Sequence, residues 1–569
     1  MAALSPRPGR PRVLIVLASG LLLAPAGCFP SDPTPEADVV VDLLEEDWQH
    51  MPGVKFDGDG LQVATAARSI VEQDGGGGQP NPPVNLAGTH LVADEDFLLS
   101  ATFTDVTADA SWTVYDSPPV IADEFRIEPA GLRLTLRGDD LEIAVFDGSS
   151  QRDVTDPQPV HDEHVTVSDP EVTLSVRRSG DTLEVADGED IVSSLPFGRV
   201  FESGKLWLGL SSVDGSFQVS SFTATAPEGA ALSTAGPAVA QAEPSADGLQ
   251  ALAARARPDF TIGAAVALGP LASDADYAQE LVGNFGAVTP ENAMKPQHLS
   301  PQQGVYTFEE ADAILAIAES KGITVHGHTI AFSEAMPRWM QELPTDSEPE
   351  RRASAEALLD YVTTVVTHFE GRLASLDVVN EPFDVDQGTS LQQNIWYRVF
   401  GPGYPAVVSR AVHDADPDIK QFINENGADV PGDRQDALLE LVLDTNAQGG
   451  HIYGVGLQSH VYDLETDAIP ADDLTETLDL FEDAGLRVRI SESDVTNGQG
   501  ADAQAEQYAA VLATCLRSRA CVSYTTWGVD DRYNWWIDGH GRLRQGNDFL
   551  FDDGRPTPAY EAMRQALGG

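Results

Sequence analysis

The chain has 569 residues and a formal net charge of −56, with 34 lysines and arginines against 90 aspartates and glutamates, and 42% of it is hydrophobic. That length exceeds the usual single-domain range, and the apolar content is enough for more than one core. So acidic a surface repels nucleic acid and anionic lipid, which leaves neutral polymers such as polysaccharides as acceptable partners.

At the N-terminus, Arg7, Arg10 and Arg12 precede an apolar stretch, 13–23, that is too short to span a bilayer but suits the core of a secretory signal. The protein is therefore expected to be exported, with residues 1–28 as its signal. Two ends for that signal stand side by side. Ala24-Pro25-Ala26 fits a small-x-small cleavage site and gives a secreted protein, whereas Ala26-Gly27-Cys28 has the form of a bacterial lipoprotein signal and makes Cys28 a lipidation site at the cell surface. That lipid is the one membrane attachment expected. Cys515 and Cys521 are close enough to pair in an oxidising compartment, which would leave Cys28 as the odd thiol.

Residues 29–83 read as an acidic, Gly/Pro-rich leader and linker, with a run of four glycines at 75–78. From 84 to 225 the texture changes to short alternating runs, at 132–137, 172–177, 205–210 and 217–222, punctuated by Gly-Asp, Asp-Gly and Ser-Gly turns. They predict an antiparallel, jelly-roll-like β-sandwich. Trp112, Tyr115 and Trp207 are its candidates for stacking on a carbohydrate. The competing reading, which we favour, packs these aromatics into the core and makes the module a spacer. Residues 226–248 form an Ala/Pro/Ser-rich linker.

Residues 249–567 alternate short apolar strands with helical stretches, the pattern of repeated βα units. Eight strands are predicted, at 260–265, 287–289, 324–327, 376–379, 421–424, 454–458, 487–491 and 522–527. They argue for a (β/α)8 TIM barrel, whose active site must lie at the strand C-termini. The tips would gather Glu291, Asn292 and Lys295, then His326 and His328, Asn380 and Glu381, Gln458 and His460, Glu492 and Asp494, and Trp527. Glu381 and Glu492 end two different strands. Of two carboxylates held about 5–5.5 Å apart, one can stay ionised as a nucleophile while the other keeps a proton for a leaving oxygen, the minimum needed to cleave a glycosidic bond. The pair His326-x-His328, joined by His460 and Asp494, is the grouping that reads toward zinc; no metal and no cofactor are expected.

The motifs Thr289-Pro-Glu-Asn-Ala-Met-Lys295, Gly327-His-Thr329, Asp377-Val-Val-Asn-Glu-Pro382, Gly456-Leu-Gln-Ser-His460, Ile490-Ser-Glu-Ser-Asp494 and Thr526-Trp-Gly-Val529, in this order, resemble glycoside hydrolase family 10, the endo-β-1,4-xylanases. The C-terminal segment from Leu550-Phe-Asp552 to Pro558-Ala-Tyr560 is similar to the end of that family's domain. The resemblance implies a retaining hydrolase acting on xylan or a related β-1,4-linked plant polysaccharide. It makes Glu381 the acid/base and Glu492 the nucleophile. Asn380 would bond the sugar 2-hydroxyl and the nucleophile, and His460, backed by Asp494, would orient Glu492. Glu291, Asn292, Lys295 and His328 would bind the glycone sugars with Gln458 nearby, and Trp527 and Trp535 would form the floor and wall at the cleavage point. Cys515 and Cys521 fall where many members carry a disulfide. The chain departs from the family after its third strand, where Phe332, Ser333 and Ala335 replace the usual tryptophan, histidine and glutamine, and where His326 replaces an arginine. Each lost hydrogen bond to the sugar would cost on the order of 1 kcal/mol of transition-state binding.

Overall fold

In this computed structural model the described residues are 39–44, 54–56, 60–64, 85–93, 96–116, 120–121, 126–127, 130–147, 159–167, 171–201, 205–212, 215–227, 232–235, 238–384, 388–534 and 548–569. Cys28, Trp535 and the signal fall outside them.

Period-two alternation organises the N-terminal part. In the strand Phe97–Thr104 every second side chain is buried, so one face must be covered by another layer. Two antiparallel sheets result. One follows the order Asp190–Pro196, Thr182–Asp187, Val172–Ser179, Phe97–Thr104, Ser216–Ala226, Leu61–Ala64, Val54–Phe56, with Val39–Asp42 also paired to Ser216–Ala226. The other runs His161–Thr166, Asp140–Phe146, Gly131–Arg137, Ala110–Tyr115, Lys205–Ser211, Asn85–Ala93, Leu232–Ala235. The first sheet thus takes in three strands upstream of residue 84, in the stretch whose glycines and prolines read as linker; each is only three or four residues long. Trp112 is fully buried, 6.3 Å from Phe103 and edge-on to Phe222 at 5.6 Å between centroids, and Tyr115 is equally buried. Both are core residues. The Trp207 side chain lies outside the described residues.

The C-terminal part is a closed barrel of eight parallel strands: β1 (Thr261–Val266), β2 (Ala287–Pro290), β3 (Thr324–Phe332), β4 (Ser375–Asn380), β5 (Lys420–Glu425), β6 (Ile452–Leu457), β7 (Arg487–Val495) and β8 (Cys521–Thr526). Each pairs with the next, and β8 pairs with β1 to close the ring. All eight predicted strands are present. β3 and β7 run on past their predicted ends because each carries a register shift, between His328 and Ala331 and between Ile490 and Ser493. A bulge of this kind breaks the apolar alternation while keeping the chain extended, and it re-aims the side chains beyond it.

Around the barrel the helices are fixed by caps and apolar stripes. The helix Glu348–His368 begins in a capping box between Ser347 and Glu350 and buries Leu358, Tyr361, Val362, Val365 and Val366, a spacing of three and four that turns one face inward. Cys515, on the helix Ala501–Arg517, is bonded to Cys521 at the start of β8. No helix among the described residues is long and apolar enough to cross a membrane.

The loop after β8 is pinned by a charged cluster. Arg532 reaches Asp530 at 3.0 Å and Asp274 at 2.7 Å, and the Tyr533 hydroxyl donates to Asp274 at 2.7 Å. Beside them Glu280 is buried with neither carboxylate oxygen hydrogen-bonded. Burial, with the charge of Asp530 adding, pushes its pKa up to about 9. Folding between the ordinary carboxylate pKa and that value therefore takes up a proton, so this residue's contribution to stability is present at low pH and is lost as pH rises from about 4.5 toward 9. Glu280→Gln mimics the protonated form. Calorimetry should give matching melting temperatures for the two proteins at pH 5 and a variant more stable by roughly 3 °C or more at pH 8; an equal offset at both pH values would contradict this.

Candidate active site

The barrel mouth is built on the tip of β4. Asn380 is the last residue of that strand, and Glu381 follows with φ 50°, in the left-handed region that a non-glycine residue adopts at a cost of about 1–2 kcal/mol. Three bonds hold it there: its N–H donates to the Asn424 carbonyl at 2.9 Å, its carbonyl accepts from Gln392 Nε2 at 3.1 Å, and its carboxylate Oε1 accepts from Gln458 Nε2 at 2.8 Å. Gln392 is itself fixed by the Ser333 hydroxyl. Strain held by surrounding bonds fixes where the carboxylate points.

Glu492, on the bulged part of β7, is buried and takes two bonds. Asn424 Nδ2 donates to its Oε1 at 2.5 Å, and His460 Nε2 lies 3.2 Å from its Oε2. The other nitrogen of His460 is 2.7 Å from Asp494 Oδ1. The amide that reaches Glu492 is thus that of Asn424; Asn380 Oδ1 accepts from the same Asn424 nitrogen at 2.8 Å. Ser491 Oγ completes the set by donating to Asn424 Oδ1 at 2.6 Å. Gly456 on β6 leaves the space that the Asn424 amide fills, since a Cβ there would collide with it.

These neighbours separate the two carboxylates chemically. Burial raises the pKa of Glu381, and the charges of Glu492 and Glu334 add to it, although the Gln458 hydrogen bond opposes the shift. Burial would also raise Glu492, but the His460 hydrogen bond and the charges of His328 and His460 outweigh it and hold the pKa below the ordinary value. His460 loses by burial and gains more from Asp494 and Glu492, reaching about 10. The two shifts run in opposite directions, toward the protonated form for Glu381 and the ionised form for Glu492, the division of labour needed by a general acid and a nucleophile. Glu425, at the tip of β5, is a third buried carboxyl, raised to about 7 by burial although Arg434 lies 3.1 Å away.

Of the other predicted residues, Glu291, Asn292, Lys295, His328 and Trp527 belong to the C-terminal ends of their strands, whereas His326, near the start of β3, lies toward the opposite end of the barrel and not at the mouth as expected. Asn292 donates to Glu291 at 3.1 Å and accepts from Lys295 at 2.5 Å, a half-buried chain of polar groups after β2. Trp527, after β8, is buried and edge-on to His328 at 5.2 Å. His328 Nδ1 and His326 Nε2 each lie 2.9 Å from Asp377 Oδ2. Burial and the charge of Arg489 lower His326 to about 4, so it meets Asp377 as a neutral imidazole. Burial opposes ionisation of Asp377, yet the nearness of the His326 imidazole and the hydrogen bond from His328 hold it well below the usual carboxylate range. Among the described residues no group of three or more His, Cys, Asp or Glu is placed to hold a metal ion. Phe332 and Ala335 are buried, and their hydrocarbon side chains offer no polar group to a sugar.

The sequence profile of glycosyl hydrolase family 10 matches residues 251–566. The chain belongs to this family. Its family 10 domain is 30% identical over 273 residues to an endo-1,4-beta-xylanase of Agaricus bisporus, covering 47% of this chain and 79% of the relative. It is 32% identical over 289 residues to endo-1,4-beta-xylanase A of Phanerodontia chrysosporium, covering 50% and 68%. In three dimensions the family 10 domain is similar to xylanase 10B from Thermotoga petrophila RKU-1 in complex with xylobiose, with a TM-score of 0.51 and 28% identity over 56% of this chain and 97% of that one.

Asn424 and Gln392 escaped the sequence reading. Asn424 ends an apolar strand run with no acid beside it but Glu425, and Gln392 lies in a loop; only their distance from the carboxylates reveals them. Removing the Asn424 amide takes a donor from ionised Glu492, which raises its pKa. Asn424→Ala should therefore lower kcat on the order of a hundredfold and move the acidic limb of the pH–rate profile to higher pH, measured by initial rates across the profile. An unmoved acidic limb would contradict the role given to Asn424.

Proposed function

We propose that the family 10 domain hydrolyses internal β-1,4-xylosidic bonds of xylan with retention of configuration. The observation that carries this reading is the pair of carboxylates with unequal partners, Glu381 held by Gln458 with its pKa raised and Glu492 held by Asn424 and His460 with its pKa lowered. Its relatives named as endo-1,4-beta-xylanases, and a neighbour solved with xylobiose, support the choice of sugar.

In the first step Glu492 Oε attacks the anomeric carbon while the bond to the leaving oxygen breaks and Glu381 delivers its proton to that oxygen. The product is a covalent glycosyl ester on Glu492. Glu381, now ionised, then takes a proton from a water that attacks the same carbon from the side the leaving group vacated, and Glu492 is released. Two inversions give retention. His460, locked between Asp494 and Glu492, keeps the nucleophile oriented through both steps.

The protein works outside the cytoplasm in this reading, secreted or held at the bacterial surface by a lipid on Cys28. Arg7 to Arg12 with the apolar stretch behind them support export, and the Cys515–Cys521 bond suits an oxidising compartment.

Incubation of the full chain with xylan, mixed-linkage glucan and carboxymethyl cellulose, followed by chromatography of the products, should release short xylo-oligosaccharides from xylan alone. Glu492→Ala should lower that activity by several orders of magnitude. Activity confined to glucan would overturn the substrate, and hydrolysis that survives Glu492→Ala would overturn the mechanism.

A further inference from the structure

The opposite end of the barrel carries a second concave site. There every strand contributes its first or second residue, from Thr261 of β1 to Val522 of β8, to the walls of a cavity of about 740 Å³. Active-site residues lie at the other ends of the same strands, so this cavity is not an extension of the catalytic mouth. Its volume falls within the range of small-molecule sites.

The charge of this cavity is opposite to that of the chain. Six of the 34 lysines and arginines line it: Arg257, Lys420, Arg487, Arg489, Arg517 and Arg519. Asp259 is the one carboxylate among the lining residues, and it is taken up by Arg257 at 3.2 Å. Lys420, Arg487, Arg517 and Arg519 have no ion-pair partner among the described residues. In a protein with 90 acidic residues, gathering unpaired cations around one concavity costs repulsion that a bound anion would relieve.

The floor points the same way. Arg489 is 5% exposed. Its Nε donates to Ser523 Oγ at 3.2 Å and its Nη2 to Thr525 Oγ1 at 3.5 Å, but its Nη1 has no hydrogen-bond partner. A buried guanidinium N–H left unpaired is expensive, and the planar fork of Arg is suited to a carboxylate or phosphate. Asp377 stands behind His326 on the inner side and is engaged by both histidines. On the wall, Tyr453 is 38% exposed with its ring 5.7 Å from Phe422 and 5.6 Å from Lys420 Nζ, and Thr261 also lines the cavity. Cations around one open aromatic ring suit a sugar that carries an acid group.

We propose that this cavity binds an acidic saccharide, with its carboxylate or phosphate received by Arg489 and the arginines of the rim and its ring against Tyr453. The site is separate from the hydrolytic one and does not depend on which polymer that one cleaves. Titration calorimetry on the full chain at low salt, with a diuronic acid, glucose 6-phosphate and inorganic sulfate as separate probes, tests it. Saturable binding of at least one acidic sugar is expected. A preference for the diuronic acid assigns a carboxylate ligand and a preference for glucose 6-phosphate a phosphate one. Arg487→Glu with Arg519→Glu should weaken that binding by roughly tenfold or more while xylan hydrolysis is retained, and Lys420→Ala, at an exposed position, should weaken it independently. No saturable binding of either sugar, unchanged affinity in both variants, or sulfate binding as tightly as the sugars would overturn the proposal.

Discussion

Two neighbouring carboxylates, one half-buried and one buried, repel each other when both are ionised, and the barrel resolves this by giving them unequal neighbours. Glu381 faces an amide and other acids, while Glu492 faces an amide and an imidazolium backed by Asp494. Asn424 joins the two halves, donating from one nitrogen to Glu492 and Asn380 and accepting the Glu381 N–H at its backbone carbonyl. The chain conformation follows, with Glu381 in left-handed backbone and Glu492 within the bulge in β7.

Much of this was legible in the sequence, because the relevant signals are local. A short apolar run ending in Asn-Glu-Pro or Ser-Glu-Ser-Asp shows both a strand and its polar tip, and eight such runs give the barrel. What escaped has a common cause. Asn424 and Gln392 act through contacts between residues far apart in the chain, and an amide in isolation carries no sign of its partner. The extensions of β3 and β7 were hidden because a bulge interrupts the alternation by which a strand is recognised. The strands Val39–Asp42, Val54–Phe56 and Leu61–Ala64 are too short to stand out among glycines and prolines, and pairing with partners such as Ser216–Ala226 establishes them. Trp112 and Tyr115 show the reverse case, where the burial of large aromatics in a β-sandwich is what their hydrophobic area favours.

The loop after β3 ties the specificity question to the catalytic one. Ser333, where a histidine is usual in the resemblance, bonds Gln392 and so braces the backbone of Glu381. Phe332 and Ala335 are buried and carry no polar side-chain group. The local departures therefore leave the reacting carboxylates supported while removing polar groups that would grip the sugar. A formal charge of −56 likewise conceals local structure, since both an anionic reaction centre and a cluster of cations sit at opposite ends of one barrel.

The central claim is that Glu492 is the ionised nucleophile and Glu381 its protonated partner. It is tested most directly by trapping: the protein is incubated with an activated 2-deoxy-2-fluoro-xylobioside, which forms the ester but turns over slowly, and the labelled peptide is located by mass spectrometry. The account predicts one added disaccharide on the peptide that carries Glu492, and none on that carrying Glu381. A label on Glu381, or hydrolysis with no covalent adduct at either residue, would contradict it.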